Sequence, residues 1–305
     1  MRRRAAGWLL AAGVLPAPAL GHAIAGDRVF PVTQTFDDPG MADEASVPTL
    51  SWQRQPSGNG QGAADQYNLG LEYDKRVTED FGVVINWGAA ALQVPHGPAQ
   101  AGFQNLFVTL KDQVYVDAEH ELLVSVGVQR ELSHIGTTGV GADRFGSTTP
   151  LVYFGKGLGD LPWDVARPFA ITGELGYSFA DVGLKSVGPG MQGNGNRWAG
   201  GLSVQYSLPY LQAQVRDLGL GPVLGGMIPL VEFTWSAPVT APADVGPTYQ
   251  LAPGVIWMGP RWQFALEALI PLNRAAGTNV GVIAQFHVFL DDLLPDSLGR
   301  PLVEW

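Results

Sequence analysis

Carboxylates and amides recur in this sequence at alternate positions of short segments whose other positions are apolar. Glu72, Glu174, Glu232 and Glu267 are the carboxylates of this set, Asn68, Asn86, Gln129, Gln205, Gln263 and Gln285 its amides, and Ser125, Thr172 and His287 its remaining members. Few bases accompany them. Two chemistries follow. If these side chains line a water-filled passage, the carboxylates concentrate cations and favour cationic solutes. If they meet in the middle of a small closed barrel, they form a hydrogen-bonded plug with Lys111 or loop arginines as counter-charges. The residue types alone leave both open.

Other chemistry has little footing. His96, His120, His134 and His287 lack the short spacings of a metal site. Ser133, His134 and Asp143 are the types of a hydrolase triad, but nothing in their spacing fixes a geometry, so no catalytic residue is expected. The stretch Gly188 to Gly195 lacks the Lys-Ser/Thr of a phosphate loop and precedes a strand pattern, which reads as an external loop. The chain has no cysteine, hence no disulfide, no thiolate site and no lipidation cysteine. No metal or cofactor is expected. A net charge of -10 argues against nucleic acid as a partner.

The elements that must position the polar set are strands, because side chains of period two point to opposite faces of a sheet. The plainest alternations are Gln66 to Asp74, Phe81 to Gly88, Arg167 to Ala180 and Trp198 to Leu208. Weaker ones run over Ser46 to Arg54, Gln104 to Asp112, Glu121 to Glu131, Thr148 to Gly155, Pro229 to Ser236, Tyr249 to Trp257, Arg261 to Pro271 and Asn279 to Asp291. That makes about twelve strands, an even number, as a bacterial single-chain barrel with both termini in the periplasm requires. Long connections alternate with shorter ones. The external set includes Ala89 to Phe103 and Leu132 to Ser147, and the exception is Pro209 to Ile228, long for an inner turn and read as a short helix or an extra strand pair.

Aromatic residues fall at strand ends on the apolar faces, where an amphipathic ring suits a membrane interface. Tyr67, Trp87, Tyr177, Trp198, Trp235 and Tyr249 are expected at outer ends, and Tyr73, Phe169, Tyr206, Trp257 and Trp262 at inner ends. The second face carries Gly, Ser, Thr, Asn and Gln with scattered charges, which fits a lumen. A soluble periplasmic β-sandwich binding protein is the competing architecture. Pro229, Pro253 and Pro271 remove ladder donors and predict irregularity.

Met1 to Ala23 combines three arginines, an apolar run and a small-x-small site, the pattern of a cleaved signal peptide. The expected plan is a signal peptide at 1–23, a periplasmic segment or plug at 24–45, a barrel at 46–291 and a tail at 292–305 ending in an aromatic residue.

Signal, even strand series, girdles and aromatic terminus together resemble the bacterial outer-membrane β-barrel superfamily. More narrowly, the twelve-strand plan, with strands such as Phe169 to Phe179, is similar to the transporter family associated with meta-pathway phenol degradation. The resemblance implies an all-β, closed antiparallel transmembrane barrel in the outer membrane of a Gram-negative bacterium. Its partners would be lipid, lipopolysaccharide and the barrel-assembly machinery. The expected function is a channel or transporter for a small solute, the alternative a non-conducting scaffold with a plugged lumen.

Overall fold

A computed structural model describes residues 23–56, 63–95, 97–187, 190–240 and 245–303. The signal pattern before Ala23, His96, Gly188 and the terminal Trp305 lie outside the described residues.

Twelve antiparallel strands form one sheet: β1 (Glu44–Gln55), β2 (Ala64–Arg76), β3 (Phe81–Gln93), β4 (Gln100–Phe103 continued by Leu106–Asp117), β5 (Leu122–Leu132), β6 (Ser147–Gly157), β7 (Phe169–Ala180), β8 (Arg197–Tyr206), β9 (Met227–Pro238), β10 (Thr248–Met258), β11 (Trp262–Pro271) and β12 (Gly281–Phe289). Each pairs with its sequence neighbours, and β12 pairs with β1, with Ala284 opposite Leu50. The sheet therefore closes on itself and leaves no edge. Two packed sheets, as in a sandwich, are not what forms.

Alternation of side chains produces this closure physically. Along β11, Gln263, Ala265, Glu267 and Leu269 are buried while Trp262, Phe264 and Leu266 are exposed. The exposed set continues around the barrel as Leu50, Leu69, Ile85, Val126, Leu175 and Val231. The molecule is thus inverted relative to a soluble domain, with apolar side chains outward and polar ones inward. No described helix is long and apolar enough to cross a membrane, which says nothing about strands.

Two expectations need correction, and of the two readings of Pro209 to Ile228 the short helix is the one that forms. The connection expected over Ala89 to Phe103 is mostly strand: β3 runs on to Gln93 and β4 begins at Gln100, with Ala89 opposite Phe103. Alanine and glycine there lack the apolar alternation that marks a strand. Trp87 therefore lies six residues short of its strand end, stacked on Phe103 at 4.9 Å. The long connection Pro209 to Ile228 holds short helical turns at Leu208–Tyr210, Leu211–Val215 and Gly221–Gly225, and Ile228 already belongs to β9. The strands of the barrel end at Phe289, where a short helix, Leu290–Leu293, takes over the tail.

Pro253 sits inside β10, and the ladder to β11 skips from Leu251 to Gly254 beside it, as a residue without an N–H requires.

The chain before β1 does not leave the barrel. Residues 23–30 form a small hairpin with Ala25 opposite Arg28. Its turn needs Gly26, whose φ is +63° and whose missing side chain leaves room for the Ala118 carbonyl. Ala23, Ala25 and Phe30 pack against Leu123 and Ala170 on the inner faces of β5 and β7. Residues 31–43 then cross the interior. Both described ends of the chain meet at this same rim, where the Leu302 and Val303 N–H groups donate to Arg76 and Val77 at 3.2 and 2.9 Å.

Candidate functional site

The inner wall divides in two. Asn68, Glu72, Asn86, Gln129, Glu174 and Gln285 line a cavity of about 630 Å³ at the end of the barrel away from the chain ends. Ser125, Thr172, Gln205, Glu232, Gln263, Glu267 and His287 do not line it and are buried. All thirteen face inward, as the period of two required.

The buried group is covered by residues 31–43. Gln263 pairs with Val32 as a strand would, its amide donating to the Val32 carbonyl at 2.7 Å and accepting from the Val32 N–H at 3.2 Å. Glu232 accepts from the N–H groups of Gln34 and Thr35 at 3.1 and 2.9 Å, and from the Thr35 hydroxyl. Ser125 donates to the Pro39 carbonyl. Gln205 donates to Thr172 at 3.3 Å. His287 bridges Ser46 at 2.9 Å and Glu44 at 3.1 Å beside the β12–β1 seam. Ser46 and His287 are 1% and 0% exposed, so this Ser–His–Glu chain is buried within the barrel.

Three buried cations, Lys111, Arg28 and Arg76, and the half-buried Lys75 hold this segment and the hairpin before it. Lys111 donates to Asp37 at 3.0 Å and to the Asp38 carbonyl at 2.7 Å, over the face of Tyr153 at 4.7 Å. Arg28 bonds Glu121 at 3.1 Å and the Pro168 carbonyl at 3.2 Å, with its guanidinium 3.6 Å from the Tyr210 ring. Burial draws the Arg28 pKa below its ordinary value, and Glu121 opposes the shift. Asp43 binds Lys75 at 2.7 Å and Arg76 at 3.0 Å. Ion pairs withdrawn from water hold only with such geometry and extra hydrogen bonds. Next to this cluster, burial pushes the Asp291 carboxyl up to about 6, against the pull of Arg76.

The cavity, by contrast, is a vestibule. Its floor is formed by Val32 to Asp37 of the crossing segment. Its lining carries five carboxylates, Asp37, Glu72, Glu131, Asp143 and Glu174, and one base, Arg197. Asn86 donates to Glu72, Asp37 N–H to Glu174 at 3.4 Å, Asn105 to Glu131 at 2.7 Å, and Arg197 pairs with Asp143 at 3.3 Å. Asn68 donates to Ser51 at 3.0 Å, Gln129 to Thr109 at 3.3 Å and Gln285 to Thr49 at 3.2 Å. A concave, acidic wall of this kind attracts cations.

Sequence reasoning missed Arg28, Asp37, Asp43, Tyr153 and Glu131. Tyr153 had a signal, since it alternates with the inward Leu151 on β6. Asp37 and Arg28 had none, because the segment before β1 has no period.

The triad types do not assemble. The exposed His134 lies 3.2 Å from the half-buried Ser133, while Asp143 is held by Arg197. Among the described residues no cluster of three or more His, Cys, Asp or Glu side chains is arranged to hold a metal.

On the outer face the aromatic residues pair across strands. At the vestibule end Tyr177 meets Trp198 edge-on at 4.8 Å, Trp235 lies opposite Tyr249, and Tyr67 lies opposite Trp52. At the other end Phe169 meets Tyr206 at 4.7 Å, Trp257 stacks with Phe264 at 6.0 Å, and Trp262 with Phe286 at 6.2 Å; Tyr73 lies opposite Ile85.

No protein-family model and no curated protein matches this chain in sequence. Among solved structures, its barrel is similar to an outer membrane channel from Pseudomonas putida F1, at a TM-score of 0.55 and 10% identity over 86% of this chain and 99% of that one. The beta domain of the Bordetella autotransporter BrkA aligns at a TM-score of 0.42 and 12% identity, over 81% of this chain and 99% of that one. At 10% identity the likeness to the channel is one of fold alone: a closed antiparallel barrel.

Proposed function

We propose that this chain is an outer-membrane channel or transporter for a small polar solute, with both termini in the periplasm and the vestibule facing outside. The observation that carries the reading is the inverted barrel: an apolar outer belt, ringed near both ends by aromatic pairs, encloses a polar lumen. Apolar side chains facing outward on twelve strands need lipid as their solvent. The vestibule supplies an entry, and its carboxylates favour a cationic or neutral solute. The likeness to an outer membrane channel supports the fold part of this reading. A signal peptide before Ala23 would supply export, and the transporter family of phenol degradation is the narrower form of the same proposal.

The test has two parts. Membrane fractionation with a gel run before and after boiling should place the protein in the outer membrane and show a heat-dependent shift. Planar bilayers should then show small cation-favouring conductances. Soluble periplasmic protein would overturn the architecture. A folded barrel with neither conductance nor solute flux would leave the second reading, a non-conducting scaffold, which the dense contacts of residues 31–43 favour.

A further inference from the structure

Most acids that anchor the lumen segment have a cation: Asp37 has Lys111, Glu121 has Arg28, and Asp43 has Lys75 and Arg76. Glu232 and Glu267 stand apart. Among the described residues neither pairs with a lysine or arginine, yet they are 0% and 2% exposed.

Their positions bring them together. Glu232 on β9 lies opposite Ala252 of β10, and Glu267 on β11 lies opposite Gly254 of the same strand. The intervening strand thus presents only small residues. A side chain at Gly254 would run into Glu267, its Cβ falling 2.3 Å from the Glu267 Cγ. The two carboxylates flank this gap near enough to act on each other, with the Gln34 side chain beside them.

Hydrogen bonding is complete on one side of the group and missing on the other. Glu232 is occupied by Gln34 N–H, Thr35 N–H and the Thr35 hydroxyl. No well-formed hydrogen bond reaches either Glu267 carboxylate oxygen or the Gln34 side-chain oxygen and nitrogen, although Gln34 and Glu232 lie close enough to interact with Glu267. Two neighbouring carboxylates withdrawn from bulk solvent repel strongly, and unpaired buried oxygens carry a large desolvation cost. A divalent cation removes both at once. Oxygen-only donors, two of them anionic, suit calcium or magnesium rather than a softer metal.

We propose that Glu267, Glu232 and the Gln34 amide carbonyl bind one divalent cation of the calcium class, which ties the lumen segment to β9 and β11. The site cancels the two formal charges and satisfies the three unpaired oxygens. It lies on the segment that floors the vestibule, so its occupancy sets how firmly that floor is held.

The purified full-length barrel, stripped with chelator, is to be titrated calorimetrically with calcium alone. The expected result is one tightly bound calcium that raises the thermal midpoint. Glu267→Gln, nearly isosteric, should lose that calcium and the stabilisation, while Glu72→Gln in the vestibule should keep both. Gln34→Ala, which leaves the barrel wall intact, should weaken binding and serves if Glu267→Gln does not fold. Unchanged calcium stoichiometry in both variants overturns the proposal. So does an absence of calcium binding in the parent protein, and a protonated-carboxyl infrared band that Glu267→Gln removes would then identify a shared proton. Binding is read without any conductance, so its failure leaves the channel reading standing.

Discussion

The half of the lumen that holds residues 31–43 and the half that forms the vestibule are lined by the same residue types, and they differ in what completes their hydrogen bonds. In the first, Glu232, Gln263 and Ser125 spend their polar atoms on the backbone of the crossing segment. In the second, Asn68, Gln129 and Gln285 bond only neighbours on the wall and leave a cavity of about 630 Å³. A polar lining is therefore not itself a passage. Whether it conducts depends on whether the chain supplies its own ligand for that lining.

The largest way to break this contrast is at Lys111, which is 0% exposed and matches Asp37. Lys111→Met leaves the half-buried Asp37 carboxylate without its partner, a loss of about 3 kcal/mol, at the low end for a pair withdrawn from water. Faster hydrogen exchange over residues 32–40, with a lower thermal midpoint, is the expected outcome. A change at Gly201 is smaller. An added Cβ there would meet the Phe36 ring at 2.3 Å, so Gly201→Val should cost about 1–3 kcal/mol through overpacking. Ala199→Val, two residues along the same strand but facing the vestibule, should cost much less. Equal costs would mean that the two halves are packed alike.

A pH effect comes next. The Asp291 carboxyl, at about 6, holds its proton to higher pH in the folded state than in the unfolded chain. Burial of the protonated carboxyl carries no charge penalty at low pH, and stability falls as pH rises from about 4 through the raised value, by about 3 kcal/mol. Thermal melts across that window should show the decline in the parent and not in Asp291→Asn. The smallest effect on stability belongs to the vestibule. Glu72→Gln should leave the melt nearly unchanged while reducing cation selectivity, read from the reversal potential under a salt gradient.

Much of this was legible in the sequence, and the reasons are physical. A strand with an apolar outer face and a polar inner face writes its register into residue type, so the twelve strands of the closed sheet could be read. The same logic failed where both faces are small, as at Gly88 to Ala91, and β3 was read too short. The wall half of the site was readable as polar; its division into a filled and an open part was not. That division depends on a segment with no period, whose residues Val32, Asp37 and Pro39 show their role only through partners more than 70 positions away.

Residues 24–40 are the stopper of the proposed channel. Planar-bilayer recording of the full-length barrel beside one lacking those residues, both checked for the heat-dependent gel shift, addresses this directly. The deletion should convert small, intermittent currents into a steady and larger open level that still favours cations. Indistinguishable conductances from the two folded barrels would contradict the account.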